Sequence, residues 1–492
     1  MHEGPPAPGV ATPSEKVAQR VLRETGHFAL WQLLGAGVGW GAHVALARLL
    51  SQRDFGVFGI CSFYIGIGQL LGDGGLGATL LRRKGAVTDE EYRVTVSSLL
   101  CVACVFALGL WVAAPMIAAR NAFSSSELWA LRSMVPLYFV GALRIAPYVR
   151  LERELRFSVI ARIELGGQLA RHLVSLAVAA LYSGPWALLC GQIAGCILQL
   201  LAAYRHSPGW VGLGFSLSVF RPLISYGIRV QALTLCAYFK DNLSRALLGS
   251  LLGPAAVGSY DFAIGYIQLP VVAVNALARV QMPVYAQLTR QDPALFAALR
   301  GTIRSTLLLG LPCLGALLIA APWLIPSVYG PKWSGTTPVA WGLLINMVCS
   351  LGLSPLFTLL SAQGRAGLAL GVFVIWTSAT WGFALAASWL QPEALAAIAL
   401  GQSLASLGVT AFLLHWVGRY LRQNLLPALW RLLFAFGLAL GCTLLASASA
   451  QIHPLPCALG FVALYAGLLW LLERELLRRE LRALFVAVTR AG

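Results

Sequence analysis

The chain is short of charge and shortest of acid: Asp and Glu number 19 of 492 residues, against 36 Lys and Arg. Charged residues make up 11% of it, where a soluble domain is about one quarter charged, so a water-soluble fold is excluded. Paired metal or redox motifs are also scarce. The ten cysteines are scattered, and Cys101 and Cys104 form a C-x-x-C inside the apolar run SSLLCVACVFALGLWV with no nearby His or second pair, which reads as small apolar packing. No polar loop exceeds about 20 residues, too short for a separate globular domain, so any function lies inside the apolar part.

What is present is 58% hydrophobic residue and a mean hydropathy of +0.75. Runs of about 20 apolar residues, enough to cross roughly 30 Å of hydrocarbon, recur along nearly the whole length. They are continuous rather than alternating, which argues against a β-barrel and for an all-α polytopic membrane protein. The expected spans are 27–49, 56–81, 94–118, 128–149, 158–183, 186–204, 223–249, 255–280, 303–329, 338–362, 366–389, 394–417, 428–448 and 456–472, about fourteen. Residues 1–26 are too hydrophilic and proline-rich for a signal peptide and read as a soluble tail.

The net charge of +17 would suit nucleic acid if it formed one face, but it falls in alternate short loops, so no nucleic-acid partner is expected. Arg20, Arg82-Arg83-Lys84, Arg150, Arg153, Arg156, Arg205, Arg221, Arg290, Arg300, Arg365, Arg419 and Arg474 share one side when the spans alternate. The positive-inside rule makes that side cytoplasmic and puts both termini there. The last residues, 473–492, space Leu477, Leu481 and Leu484 helically among Arg and Glu, as expected of an amphipathic segment lying on the anionic leaflet.

An internal repeat is visible. ARLLSQRDFGVFGICSFYIG matches GSLLGPAAVGSYDFAIGYIQ at an offset of 202, pairing Gly56 with Gly258, Phe58 with Tyr260 and Tyr64 with Tyr266. The offset covers six spans, an even number, so the halves run in the same direction through the bilayer. The expected organisation is a tail (1–26), a six-helix lobe (27–205), a linker (206–222), a second six-helix lobe (223–418), two further helices (419–472) and the amphipathic tail (473–492).

Ionisable residues inside spans cost about 2.5–3.5 kcal/mol each on insertion scales and normally face a partner or a wet cavity. Two spans concentrate them. Glu164, Gln168 and Arg171 share a face at i, i+4, i+7, and Arg229 and Lys240 share one about three turns apart. A purely structural account pairs Asp241 with Arg245 at i, i+4 and Glu164 with Arg171 at i, i+7, but it leaves more cations than acids, which suits an anionic ligand. Arg144 reads first as an interface anchor, with a cavity cation as the alternative. Asp73 sits among glycines where helices approach closely, and His172 borders the polar stripe.

ARLLSQRDFGVFGI, GDGGLGATLLRRKG, RELRF at 153–157, GSYDFAIGYIQLP at 258–270, QMPVYAQL at 281–288 and YGPKW at 329–333 resemble the Wzx-type oligosaccharide flippases. These belong to the polysaccharide-transporter branch of the superfamily that includes the MATE transporters and lipid II flippases. The resemblance implies a V-shaped bundle of twelve core helices plus two. It also implies a passenger, undecaprenyl-pyrophosphate-linked sugar, carried across a bacterial inner membrane for capsule, O-antigen or exopolysaccharide assembly. Polymerase and export proteins are the implied partners, and a monomer is expected. One departure concerns the seventh span, where relatives often carry an acid or amide one turn before L-[LI]-G and this chain has Ser244.

The expected mechanism is alternating access through a cationic cavity between the lobes. Arg171, Arg229 and Lys240, with Gln168 beside them, neutralise the pyrophosphate; Arg48 and Arg245 meet it near the outer exit; and Glu164, Asp241 and Asp73 are candidates for coupling to H+ or Na+, with no other cofactor. Three alternatives remain. A MATE-like exporter of cations would need an acidic pocket. A membrane glycosyltransferase or polymerase would need an acid or base in a sizeable outer loop, where only the isolated Asp54, Glu127 and Glu393 stand. A scaffold would have no use for intramembrane cations.

Overall fold

The computed structural model describes residues 31, 34–73, 75–83, 85–207, 209, 211–268, 285, 293–363, 366–390, 395–421, 426–450 and 453–491. It is helical throughout, with no strand among the described residues. The helices are α1 (34–49), α2 (Gln52–Asp73), α3 (Leu76–Arg82), α4 (Asp89–Arg120), α5 (Ser125–Ser133), α6 (Pro136–Arg153), α7 (Phe157–Leu181), α8 (Trp186–His206) and α9 (Leu217–Leu252). They continue as α10 (Pro254–Ile267), α11 (Pro293–Leu324), α12 (Thr337–Gly342), α13 (Leu344–Ala362), α14 (Ala366–Leu390), α15 (Leu395–Leu421), α16 (Leu426–Ala450) and α17 (Pro454–Ala491). The expected N-terminal tail and most of QMPVYAQL lie outside the described residues, as do the side chains of the C-terminal tail.

Eight described helices are long and apolar enough to cross a membrane, nine if the pair Pro331–Gly342 and Leu344–Leu360, bent by 52°, counts as one span. The chain is thus a multi-pass membrane protein. α7 and α9, the helices in which the sequence concentrates charge, are not in that set. Two expected limits differ. α9 begins at Leu217, inside the linker placed at 206–222, and α17 runs unbroken through 472, where a separate tail was expected.

Local chemistry explains the turns. Between α1 and α2, the Ser51 N–H and hydroxyl donate to Asp54 Oδ2 at 2.8 and 2.6 Å, and the Asp54 N–H returns a bond to Ser51 Oγ, a capping arrangement that reverses the chain in two residues. Arg53 of the same turn pairs with Glu127 at 2.8 Å, and Glu127 in turn closes the Ser124 capping box that starts α5. The matching turn between α9 and α10 uses other means: Gly253 at φ +83, then Pro254 at the first helical position. On the opposite face, Arg153 donates to the carbonyls of Leu80, Arg83 and Gly85, and Arg150 to Gly209 O and Asp89, lacing the cation-rich loops together.

Buried apolar side chains form two large clusters. One draws on the first half, from Val57 to Leu189, and takes only Leu223 of α9 from the second; the other runs from Leu248 to Leu469 and takes only Ala47 and Ile60 from the first half. α16 and α17 belong to the second cluster, where Phe436 and Phe461 pack over Gly315 of α11. The halves meet where α2 lies against α10. A Cβ on Gly56 would fall 1.6 Å from Pro254 O, and one on Gly258 would fall 1.9 Å from Gln52 O. Cys101 and Cys104, expected to pack, are instead exposed on the outside of α4.

Candidate functional site: a cationic cleft and a cross-half latch

Within the first bundle, α2, α6, α7 and α8 flank an open cleft, with about 530 Å³ of empty space counting the solvent at its mouth. Its polar lining is two arginines, Arg144 and Arg171, and four glutamines, Gln69, Gln168, Gln192 and Gln199, with no carboxylate. Arg144 donates to Gln199 Oε1 at 2.7 Å and lies over the Tyr148 ring; Arg171 reaches Gln192 Oε1 at 3.4 Å.

Glycines make the room. Gly191 and Gly195 of α8 press on α7, since a Cβ at Gly191 would meet Arg171 O at 2.4 Å and one at Gly195 would meet Gly167 O at 2.7 Å. Gly167 likewise leaves space for Gln199, and Gly35 for Gln168. Such G-x-x-x-G spacing lets helix backbones approach closely in lipid, here beside long polar side chains.

The expected constellation is therefore only partly assembled. Arg171 and Gln168 share the cleft, joined by Arg144, which the sequence favoured as an anchor. Arg171, expected to pair with Glu164, is held at Gln192 instead. Lys240 does not line the cleft: it pairs with Asp241 and lies 5.0 Å from the Trp376 ring on α14. The expected Asp241–Arg245 pair is replaced by Arg245 with Asp261 at 2.8 Å, assisted by Asn242 at 2.6 Å. Asp261 projects from α10 against Gly59 of α2, whose missing side chain admits it, so an acid one helix away displaces the acid one turn away. The side chains of Arg229 and Asp73 lie outside the described residues.

Arg48 has a different employment from the one expected. Its guanidinium donates to the carbonyls of Ser327 and Val328, both at 2.7 Å, capping the C-terminal end of the helix that follows α11. Lys332, from the other half, returns the favour: its ammonium donates to the carbonyls of Arg48 (3.0 Å) and Leu50 at the end of α1. Cations belong at helix C-termini, where carbonyls are unpaired and the dipole is negative. Trp40 Nε1 donates to Tyr329 Oη at 2.8 Å, Trp333 Nε1 to Ala47 O at 2.9 Å, and Gln52 to Lys332 O at 2.7 Å. Phe55, Phe262 and Trp333 stack beneath, with Phe262 and Trp333 centroids 4.2 Å apart. This latch joins the halves at the cation-poor face. Asp261, Lys332 and the aromatic plug were missed in the sequence; GSYDFAIGY and YGPKW, both quoted there, contain them.

The fold is shared with solved transporters: the lipid II flippase MurJ in an inward closed conformation superposes with a TM-score of 0.77 at 14% identity, covering 92% of this chain and 99% of that one. An inward-facing MATE family multidrug resistance transporter gives 0.64 at 12% identity over 80% and 98%. In sequence, residues 45–338 match the family described as polysaccharide biosynthesis protein. The chain belongs to that family. The lipopolysaccharide biosynthesis protein WzxC of Escherichia coli (strain K12) is 23% identical over 350 residues, 68% of each chain.

Proposed function

We propose that the protein is a flippase that carries lipid-linked oligosaccharide, its sugar joined to a polyprenyl carrier through pyrophosphate, across the bacterial inner membrane for polysaccharide assembly. The family and the flippase fold support this reading, and the observation that carries it is the cleft of Arg144 and Arg171 among four glutamines. Bare phosphate in low dielectric costs tens of kcal/mol, so a carrier must replace its hydration. Guanidinium forks match phosphate oxygens two at a time, and glutamine amides both donate to and accept from sugar hydroxyls. A cleft with cations and no carboxylate disfavours the alternative of a cation exporter.

In this reading the halves are parallel repeats that rock about their shared seam. The latch holds the outer side shut while the cleft loads from the cytoplasm, and both termini are cytoplasmic. Glu164, Asp241 and Asp73, with Arg245–Asp261 at the seam, are the groups through which H+ or Na+ would couple.

The test is complementation in cells lacking the wild-type protein. Arg144→Gln and Arg171→Gln together should abolish glycan export at normal membrane abundance. Full export by the double variant would overturn the reading.

A further inference from the structure

A second hollow, with about 1200 Å³ of empty space counting its open mouth, lies on the seam between the halves, away from the cationic cleft. One wall is a single face of α4, on which Val105, Gly109, Ala113, Met116 and Arg120 recur at i, i+4, i+8, i+11 and i+15. The other is built from Tyr64 of α2 and Leu247 and Ser250 of α9. From Val105 to Arg120 the groove is about 22 Å long at 1.5 Å per residue, which is one leaflet of hydrocarbon plus the start of the headgroup layer. It is apolar along that length and cationic at one end, and Arg120 forms no ion pair among the described residues.

The repeat gives the groove its meaning. The offset of 202 carries α1 onto α9 and α4 onto α11, so the contact of α1 with the end of α11 is the counterpart of the α4–α9 groove. That counterpart is zipped shut by Trp40 with Tyr329 and by Arg48 with Ser327 and Val328. Among the described residues no hydrogen bond or ion pair zips α4 to α9; they touch where Asn121 meets Gly249, and beside that contact an apolar slot is continuous with Val112 and Met116, about 70% exposed on the outside of α4.

We propose that this groove binds one acyl chain of an anionic phospholipid of the outer leaflet, with the headgroup phosphate on Arg120. The length matches a leaflet lipid, which ends at the bilayer midplane as the groove does. The unpaired guanidinium supplies the charge preference, worth about 1 kcal/mol for a cation near an anionic surface. A chain seated there wedges the open seam as the latch closes the other one. The inference does not depend on the passenger's identity.

The test uses the full chain in detergent, with bound lipid read by native mass spectrometry against phosphatidylglycerol, phosphatidylcholine with the same chains, and undecaprenyl phosphate. Phosphatidylglycerol should bind about fivefold more tightly than phosphatidylcholine. Arg120→Gln should erase that preference, whereas Arg132→Gln, removing a cation stacked on Trp111 and Trp129 instead, should keep it. Gly109→Leu, placed where an added Cβ meets nothing within 4 Å, should fill the slot and lower binding of both phospholipids without disturbing the fold. Equal binding of the two phospholipids, insensitive to Arg120→Gln and Gly109→Leu, would overturn the proposal. So would displacement of phosphatidylglycerol by undecaprenyl phosphate at equal concentration, which would give the groove to a carrier lipid instead.

Discussion

Gly56 and Gly258 face each other across the boundary of the two halves, each so close to the other's helix that neither has room for a Cβ. The contact is reciprocal: Gly56 abuts Pro254 O, Gly258 abuts Gln52 O, and both partners are related by the same offset of 202 as the glycines. Residues related by a two-fold operation can touch one another only on the axis, so a two-fold relation between the halves would put its axis through this contact.

That closeness has a stability consequence. Gly56→Ala or Gly258→Ala should destabilise the protein by overpacking, at a cost of about 1–3 kcal/mol or more, because the obstacle is backbone and cannot move aside. Melting temperature of the purified protein is the readout. Gly37→Ala, where an added Cβ meets nothing, should leave it unchanged.

The latch predicts an accessibility change. In a cysteine-free background, a cysteine replacing the fully buried Ala47 should react slowly with a membrane-impermeant thiol reagent. Arg48→Ala or Lys332→Met removes charge-assisted bonds worth roughly 1.5–3 kcal/mol in well-made cases and less at exposed sites, so labelling should speed up by about tenfold. The double variant should exceed either alone, since each cation caps a different helix end.

Arg245 and Asp261 predict an asymmetry. Arg245→Ala strands a carboxylate between α2, α9 and α10 and should cost about 3–5 kcal/mol, read as lost thermal stability. Adding Asp261→Asn should restore much of it. Lys240→Ala should be mild by the same measure, because its partner Asp241 is largely exposed.

The helical architecture was legible because bilayer thickness dictates run length; the helices of the first half fall close to the expected spans. The Leu-Leu turns were equally legible, and the offset drawn from them led to Gly56 and Gly258. Side-chain partners were not. Helical spacing put Asp241 one turn from Arg245, but only packing could reveal that Gly59 opens a place for Asp261. Arg144 lost its reading as an anchor for the same reason: its depth is fixed by Gln199 on α8, 55 residues on. Arg48 could not be foreseen as a cap, since the carbonyls it serves are nearly 280 residues away.

The most direct measurement is transport itself. The purified protein would be reconstituted into vesicles containing fluorescent undecaprenyl-pyrophosphate oligosaccharide, with a membrane-impermeant reagent reporting which leaflet holds the sugar. The account predicts rapid movement between leaflets with the wild-type protein and movement no faster than in empty vesicles with Arg144→Gln combined with Arg171→Gln. Equal rates for the wild-type and the double variant would contradict it.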